Sequence, residues 1–222
     1  MFIGHYAVAL AAKKVAPETS LGTLFLSVQF VDLLWPLLLM VGVEHVRIDP
    51  GNTAFTPLDF YEYPISHSLL SVIGWSGAFG LIYHVARHYR KGAWILGAGV
   101  LSHWVLDFIT HRPDLPLIPG VESYVGLGLW NSYAASALIE LSLFVGGALL
   151  YLRSTIAVDR IGRYALWSLI ILLIVIWVAN MISPPPPSET AVGISALSLW
   201  LLIPWAYWID RHRRVATEAK RL

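Results

Sequence analysis

The chain has 222 residues and a formal net charge of +1; 57% of its residues are apolar or aromatic and only 13% are charged, so its mean hydropathy is strongly positive. Soluble domains carry about 25% charged residues, and this composition excludes an ordinary soluble enzyme in favour of a polytopic membrane protein. Cysteine is absent, which excludes a disulfide framework and thiolate ligation and leaves only nitrogen and oxygen donors for any metal.

In chain order, residues 1–12 are apolar without a basic leader and do not read as a cleaved secretory signal. They are too short to cross a bilayer. A re-entrant or interfacial half-helix running back to Lys13-Lys14 would hold His5 about 12 Å into the membrane at 1.5 Å per residue. Six stretches then reach the roughly 20 residues that a hydrocarbon core of about 30 Å requires: 21–43, 66–86, 92–110, 132–152, 164–182 and 192–210. The expected fold is an all-α membrane helix bundle of six transmembrane helices plus the short N-terminal helix. Residues 1–152 bear the polar groups and 153–222 supply two apolar scaffold spans and a basic tail, the two parts forming one bundle. Loops 44–65 and 112–131 are rich in turn residues and read as ordered, non-helical surface, while prolines 184–187 read as a short polyproline II spacer.

Basic residues alternate between the spans. Lys13, Lys14, Arg87, Arg90, Lys91, Arg153, Arg160, Arg163, Arg211, Arg213, Arg214, Lys220 and Arg221 all fall on one face, leaving only Arg47 and Arg112 of the 15 Lys and Arg for the other. The positive-inside rule makes the basic face cytoplasmic, with both termini on it. Near-zero net charge points to no particular macromolecular partner, and no nucleic acid is expected.

Ionisable groups inside spans are costly and mark function by default. Asp32 lies mid-span with no Lys or Arg in any span to pair with it, so it must be neutral, hydrogen-bonded or metal-bound. His67 falls at the outer end of the second span, where Ser66 reads as a helix N-cap. His103, Asp107 and His111 recur every fourth residue and line one helical stripe, successive groups offset by about 40° and 6 Å. His103 and Asp107 can share one ion, the alternative being a structural hydrogen bond. His111, about 12 Å from His103, cannot bind that ion directly; it reads as a second-site ligand or as a cap before Pro113. Glu140 reads as a ligand, an acid/base group or a hydrogen bond to a neighbouring helix. His5 is a ligand or an interfacial residue. His45, His84, His88 and His212 lie in or beside charged loops and read as solvated, and the Trp and Tyr residues as interface and packing groups. The spans at 164–182 and 192–210 hold no Asp, Glu, His, Lys or Arg in their interiors, Asp210 being terminal, and read as scaffold or lipid-facing helices.

At Gly4-His5, Asp32, Ser66-His67-Ser68-Leu69 and the run from Ser102 through His103 and Asp107 to Thr110, the chain resembles the bacterial YdjM-type family of membrane-bound metal-dependent hydrolases. The resemblance covers roughly residues 1–150, and that family is distantly similar to zinc-dependent phospholipase C. It implies a bacterial cytoplasmic (inner) membrane location, a divalent metal (Zn, or Mn, Fe or Ni) and phosphoester hydrolysis. Many family members carry a Pro-Asp-x-Asp pair where this chain has Val31-Asp32-Leu33-Leu34, and Ser136 stands where a second helical His-x-x-x-Glu, ending here at Glu140, would begin. Both departures point away from three metals and toward one or two, or toward an emptied relic of a site.

The expectation is therefore a membrane-embedded hydrolase of a lipid or lipid-linked phosphoester, its site open to the outer face. His5, Asp32, His67, His103 and Asp107 would hold the metal; Asp107, His111 and Glu140 would serve the chemistry. Two other classes fit the same residues. A non-catalytic membrane subunit or assembly factor would use them to stabilise the bundle against a protein partner that the sequence does not identify. A transporter would use them as relay groups, which suits less well the absence of an internal repeat and their gathering toward one face.

Overall fold

The computed structural model describes residues 1–216, so Lys220 and Arg221, counted above in the basic tail, lie outside the described residues. The helices are α1 (Ile3–Val15), α2 (Leu21–Met40), α3 (Pro64–His67), α4 (Leu69–Arg87), α5 (Arg90–Thr110), α6 (Tyr133–Ser154), α7 (Arg160–Ile182), α8 (Glu189–Leu197) and α9 (Leu202–Arg211). The chain is an all-α bundle. Six helical stretches are long and apolar enough to cross a bilayer: α2, α4, α5, α6, α7 and the α8–α9 segment. It is thus a multi-pass membrane protein, and the half-helix α1 is the seventh, shorter element.

Five of the helix starts have a local cause in a capping side chain. Ser20, Ser68, Ser132, Asp159 and Ser188 cap α2, α4, α6, α7 and α8 by accepting a hydrogen bond from an amide in the first turn. The cap of the second span is therefore Ser68, not the expected Ser66, which lies inside the single turn of α3. The last span is broken rather than continuous. A 3-10 turn, Ser198–Leu201, joins α8 to α9, and Pro204 two residues into α9 lacks the amide that would bond the Trp200 carbonyl.

The turn-rich loops contain short antiparallel pairings that the sequence reading did not anticipate. β1 (His45–Ile48) pairs with β2 (Leu58–Glu62), and β3 (Leu115–Pro116) pairs with β4 (Tyr124–Val125). Val46, Tyr63 and Leu115 from this layer pack with Trp35 of α2 and Val192 of α8 in a small second core that roofs one end of the bundle. At the opposite, basic end, β5 (Thr155–Ala157) pairs with β6 (Arg213–Val215) and ties the start of α7 to the chain after α9.

α2 is central, with α1, α5, α8 and α9 around it. α1 is enclosed by protein, as a helix that ends inside a bilayer must be. It lies along α6 so closely that a Cβ on Gly147 would collide with the Ala7 backbone. At its basic end Lys13 donates to the Thr19 carbonyl at 2.9 Å and pairs with Asp210 of α9 at 2.8 Å.

Candidate metal centre

Four segments converge toward the roofed end. α5 contributes His103 and Asp107 one turn apart, α2 contributes Asp32, α1 contributes His5, and the turn of α3 contributes His67. Asp107 is the hub: Oδ1 lies 3.2 Å from His5 Nε2, and Oδ2 lies 3.1 Å from His103 Nε2 and 3.9 Å from His67 Nε2. Asp32 Oδ1 is 3.5 Å from the Nε2 atoms of both His67 and His103. The five form two overlapping triads, His5/His103/Asp107 and Asp32/His67/His103, in each of which all donor atoms lie within 4.8 Å of one another. Ligands bound at about 2.0–2.1 Å around a tetrahedral zinc stand about 3.3 Å apart, so these separations suit a shared cation.

His5, His67, His103 and Asp107 are buried, whereas the Asp32 side chain is 27% exposed and forms the open corner of the cluster. Pro36, one turn after Asp32 in α2, lacks the amide that would bond the Asp32 carbonyl, so the helix is locally loosened there. The rings of His5 and His103 stack face to face with centroids 3.7 Å apart. Two imidazolium charges at that separation would repel; two neutral rings, the metal-binding form, stack without penalty.

The ring orientations are set from behind. His103 Nδ1 is 2.7 Å from the Val28 carbonyl, which can only accept, so Nδ1 carries the proton and Nε2 presents a lone pair to the cluster. His67 Nδ1 is 2.7 Å from Ser66 Oγ, which donates in turn to Glu44 Oε2 at 2.5 Å. Ser66 must then accept from His67 Nδ1–H, and the His67 Nε2 lone pair also faces inward. Glu44 Oε1 is fixed by the Ile65 and Ser66 amides at 2.8 and 2.7 Å. Outer carboxylates of this kind orient histidine ligands and raise their basicity. Sequence reasoning missed Glu44 and misassigned Ser66: an acid in a loop 23 positions before a histidine carries no spacing signal, and only the fold brings them together.

The other two singled-out residues are not part of the triads. The Glu140 carboxylate accepts from the Phe2 amide at 3.2 Å and the Ile3 amide at 3.0 Å. It caps the protein-buried start of α1, where the helix dipole is positive and the first amides have no intrahelical partner. By holding α1 it holds His5. His111 leaves the cluster for the roof: its Nδ1 is 3.0 Å from Asp114 Oδ1, and its ring packs against Trp130 and Phe60. Arg112 links Asp114 to Asp59, which Arg47 of β1 also holds. Burial and the neighbouring Asp114 push the Tyr63 phenol well above its usual value, so it remains a hydroxyl donor to this network. Of the loop histidines, His45 faces Glu62 and His212 faces Asp159.

The backbone nitrogen of Met1 also lies 2.7 Å from Asp107 Oδ1. The centre as a whole offers three imidazole nitrogens and two carboxylates, a hard-to-borderline donor set that can hold a divalent cation with an accessible position beside Asp32. Comparison with family models, with curated proteins and with solved structures returns no match.

Proposed function

We propose that this protein is a metal-dependent hydrolase embedded in the bacterial inner membrane, cleaving a phosphoester bond of a lipid or lipid-linked substrate. The observation that carries this reading is the convergence of His5, Asp32, His67, His103 and Asp107, with the His67 and His103 lone pairs turned inward. The short motifs shared with YdjM-type hydrolases support it, and the charge asymmetry of the loops supports an orientation with the roof outward and the basic end cytoplasmic. When bound, a divalent metal, zinc first and Mn, Fe or Ni after it, would supply a water acidified to a pKa of about 7 and charge neutralisation on the phosphoryl oxygens.

The chain's own residues then have distinct tasks. His103 and His67 bind through Nε2 in fixed tautomers, and His103, common to both triads, ties them together. Asp32, at the open corner, orients the attacking water or takes its proton. Glu44 and Ser66 keep the His67 ring in place, and Glu140 keeps α1 docked so that His5 reaches the cluster. A lipid substrate is favoured because a site within the bilayer is entered sideways by lipid more readily than by a soluble nucleotide.

The test is metal content of the detergent-purified protein by inductively coupled plasma mass spectrometry, beside His103→Ala/Asp107→Ala and the milder Asp107→Asn. Stoichiometric metal that disappears in the variants while the helical circular dichroism persists, followed by release of a headgroup from phosphoester lipids, is the expected result. Absence of bound metal after reconstitution with zinc and manganese would discard the proposal. The competing reading, a polar lock that joins α1 to α5 through Met1, His5 and Asp107, predicts metal-free protein that loses its fold when Asp107 is replaced.

A further inference from the structure

At the end of the bundle remote from the His/Asp cluster, the α4–α5 turn brings together His84, Arg87, His88, Arg90 and Lys91. No ion pair to Arg87, Arg90 or Lys91 occurs among the described residues. The placement is electrostatically awkward. Arg90 and Lys91 occupy the first turn of the 21-residue α5, that turn has no acidic residue, and the N-cap Tyr89 gives no side-chain cap. Cations there oppose the positive end of the helix dipole, and the free first-turn amides add donors that an anion would satisfy.

From this cationic turn a groove of about 590 Å³ runs up between α4 and α5. Its floor is made by small residues, Gly77 and Gly80 facing Ala93 and Gly97, its rim by Trp94, which is 77% exposed, and its end by His84 and Arg90. His84 Nδ1 is buried there without a partner. An apolar channel closed by unpaired cations and an uncapped helix start matches the two ends of one molecule.

We propose that this groove is a binding site for an anionic phospholipid, its phosphate at Arg90, His84 and the α5 amides and one acyl chain along the glycine floor. Basic pockets between membrane helices on the cytoplasmic side recognise such headgroups. This site is independent of the hydrolase reading and lies on the opposite side of the membrane from it.

Trp94 makes the proposal testable in the full-length protein. Phosphatidylglycerol or phosphatidylcholine with brominated chains is titrated into lipid nanodiscs, and the fluorescence lost in the native protein but not in Trp94→Phe is followed. The expected result is quenching by brominated phosphatidylglycerol at a mole fraction about fivefold lower than by brominated phosphatidylcholine, the equivalent of about 1 kcal/mol in total, the contribution of one basic residue. Arg90→Gln, at an exposed position, should remove that preference while leaving quenching by phosphatidylcholine unchanged. Equal quenching by the two lipids, or a preference that survives Arg90→Gln together with His84→Ala, would overturn the proposal.

Discussion

α2 and α4 cross the same bilayer with similar mean hydropathy, 1.8 and 1.5, yet half of the α2 span is buried inside the protein and only 6% of the α4 span is. The difference matches where the ionisable groups are. α2 carries Asp32, and α5, also half buried, carries His103 and Asp107, whereas α4 holds no Asp, Glu, Lys or Arg before Arg87 at its end. Hydropathy decides that a helix enters lipid; cover by neighbouring helices decides whether it can also hold a carboxylate. The small α1 provides much of that cover, lying between α6 and α2 with its start beside the cluster.

This contrast can be tested from its strongest consequence to its weakest. Glu140→Ala leaves the part-buried Phe2 amide and the buried Ile3 amide without an acceptor, at about 1–3 kcal/mol for the buried one, and frees the helix that carries His5. Denaturant unfolding in detergent should show the largest stability loss of any single change described, with metal binding reduced as well and Gln partly restoring both. Unchanged stability would mean that α1 docks without its cap. Next, Leu81→Asp places a carboxylate on the lipid face of α4, where Leu81 is 64% exposed. Insertion should fall by about 2.5–3.5 kcal/mol, read as the uninserted fraction in a protease-protection assay. Normal insertion would show that α4 is covered by protein in the membrane.

Glu44→Gln sharpens the comparison within the site, because it removes the charge behind His67 and leaves the triads intact. A 10–100-fold loss of metal affinity with little change in melting temperature is expected from such an outer-shell change. Equal loss in affinity and in folding would reduce Glu44 to a packing residue. The smallest effect belongs to the scaffold. The Gly162 amide and the His212 ring hold the Asp159 carboxyl below its usual value. Its contribution is therefore complete above the ordinary carboxylate range and lost as pH falls through the lowered value. The small melting difference between Asp159→Ala and the native protein should stay constant from neutral to mildly acidic pH and vanish only in strong acid.

Much of this was legible before any coordinates. Composition and run length alone determined a six-span all-α membrane protein with a half-helix at its start, because about 20 apolar residues have no other stable solution in a bilayer. The i, i+4 spacing of His103 and Asp107 placed them on one stripe by helix geometry, and the lack of any basic residue within a span singled out Asp32. What sequence could not decide is which partner each buried group meets. Glu140 meets the first amides of a helix more than 130 residues away, His111 turns to Asp114 in the roof, and the Glu44 carboxylate reaches His67 through Ser66. Helical periodicity fixes neighbours within one element, but contacts between elements depend on which helices pack and at what depth, and that is settled only when the whole bundle closes.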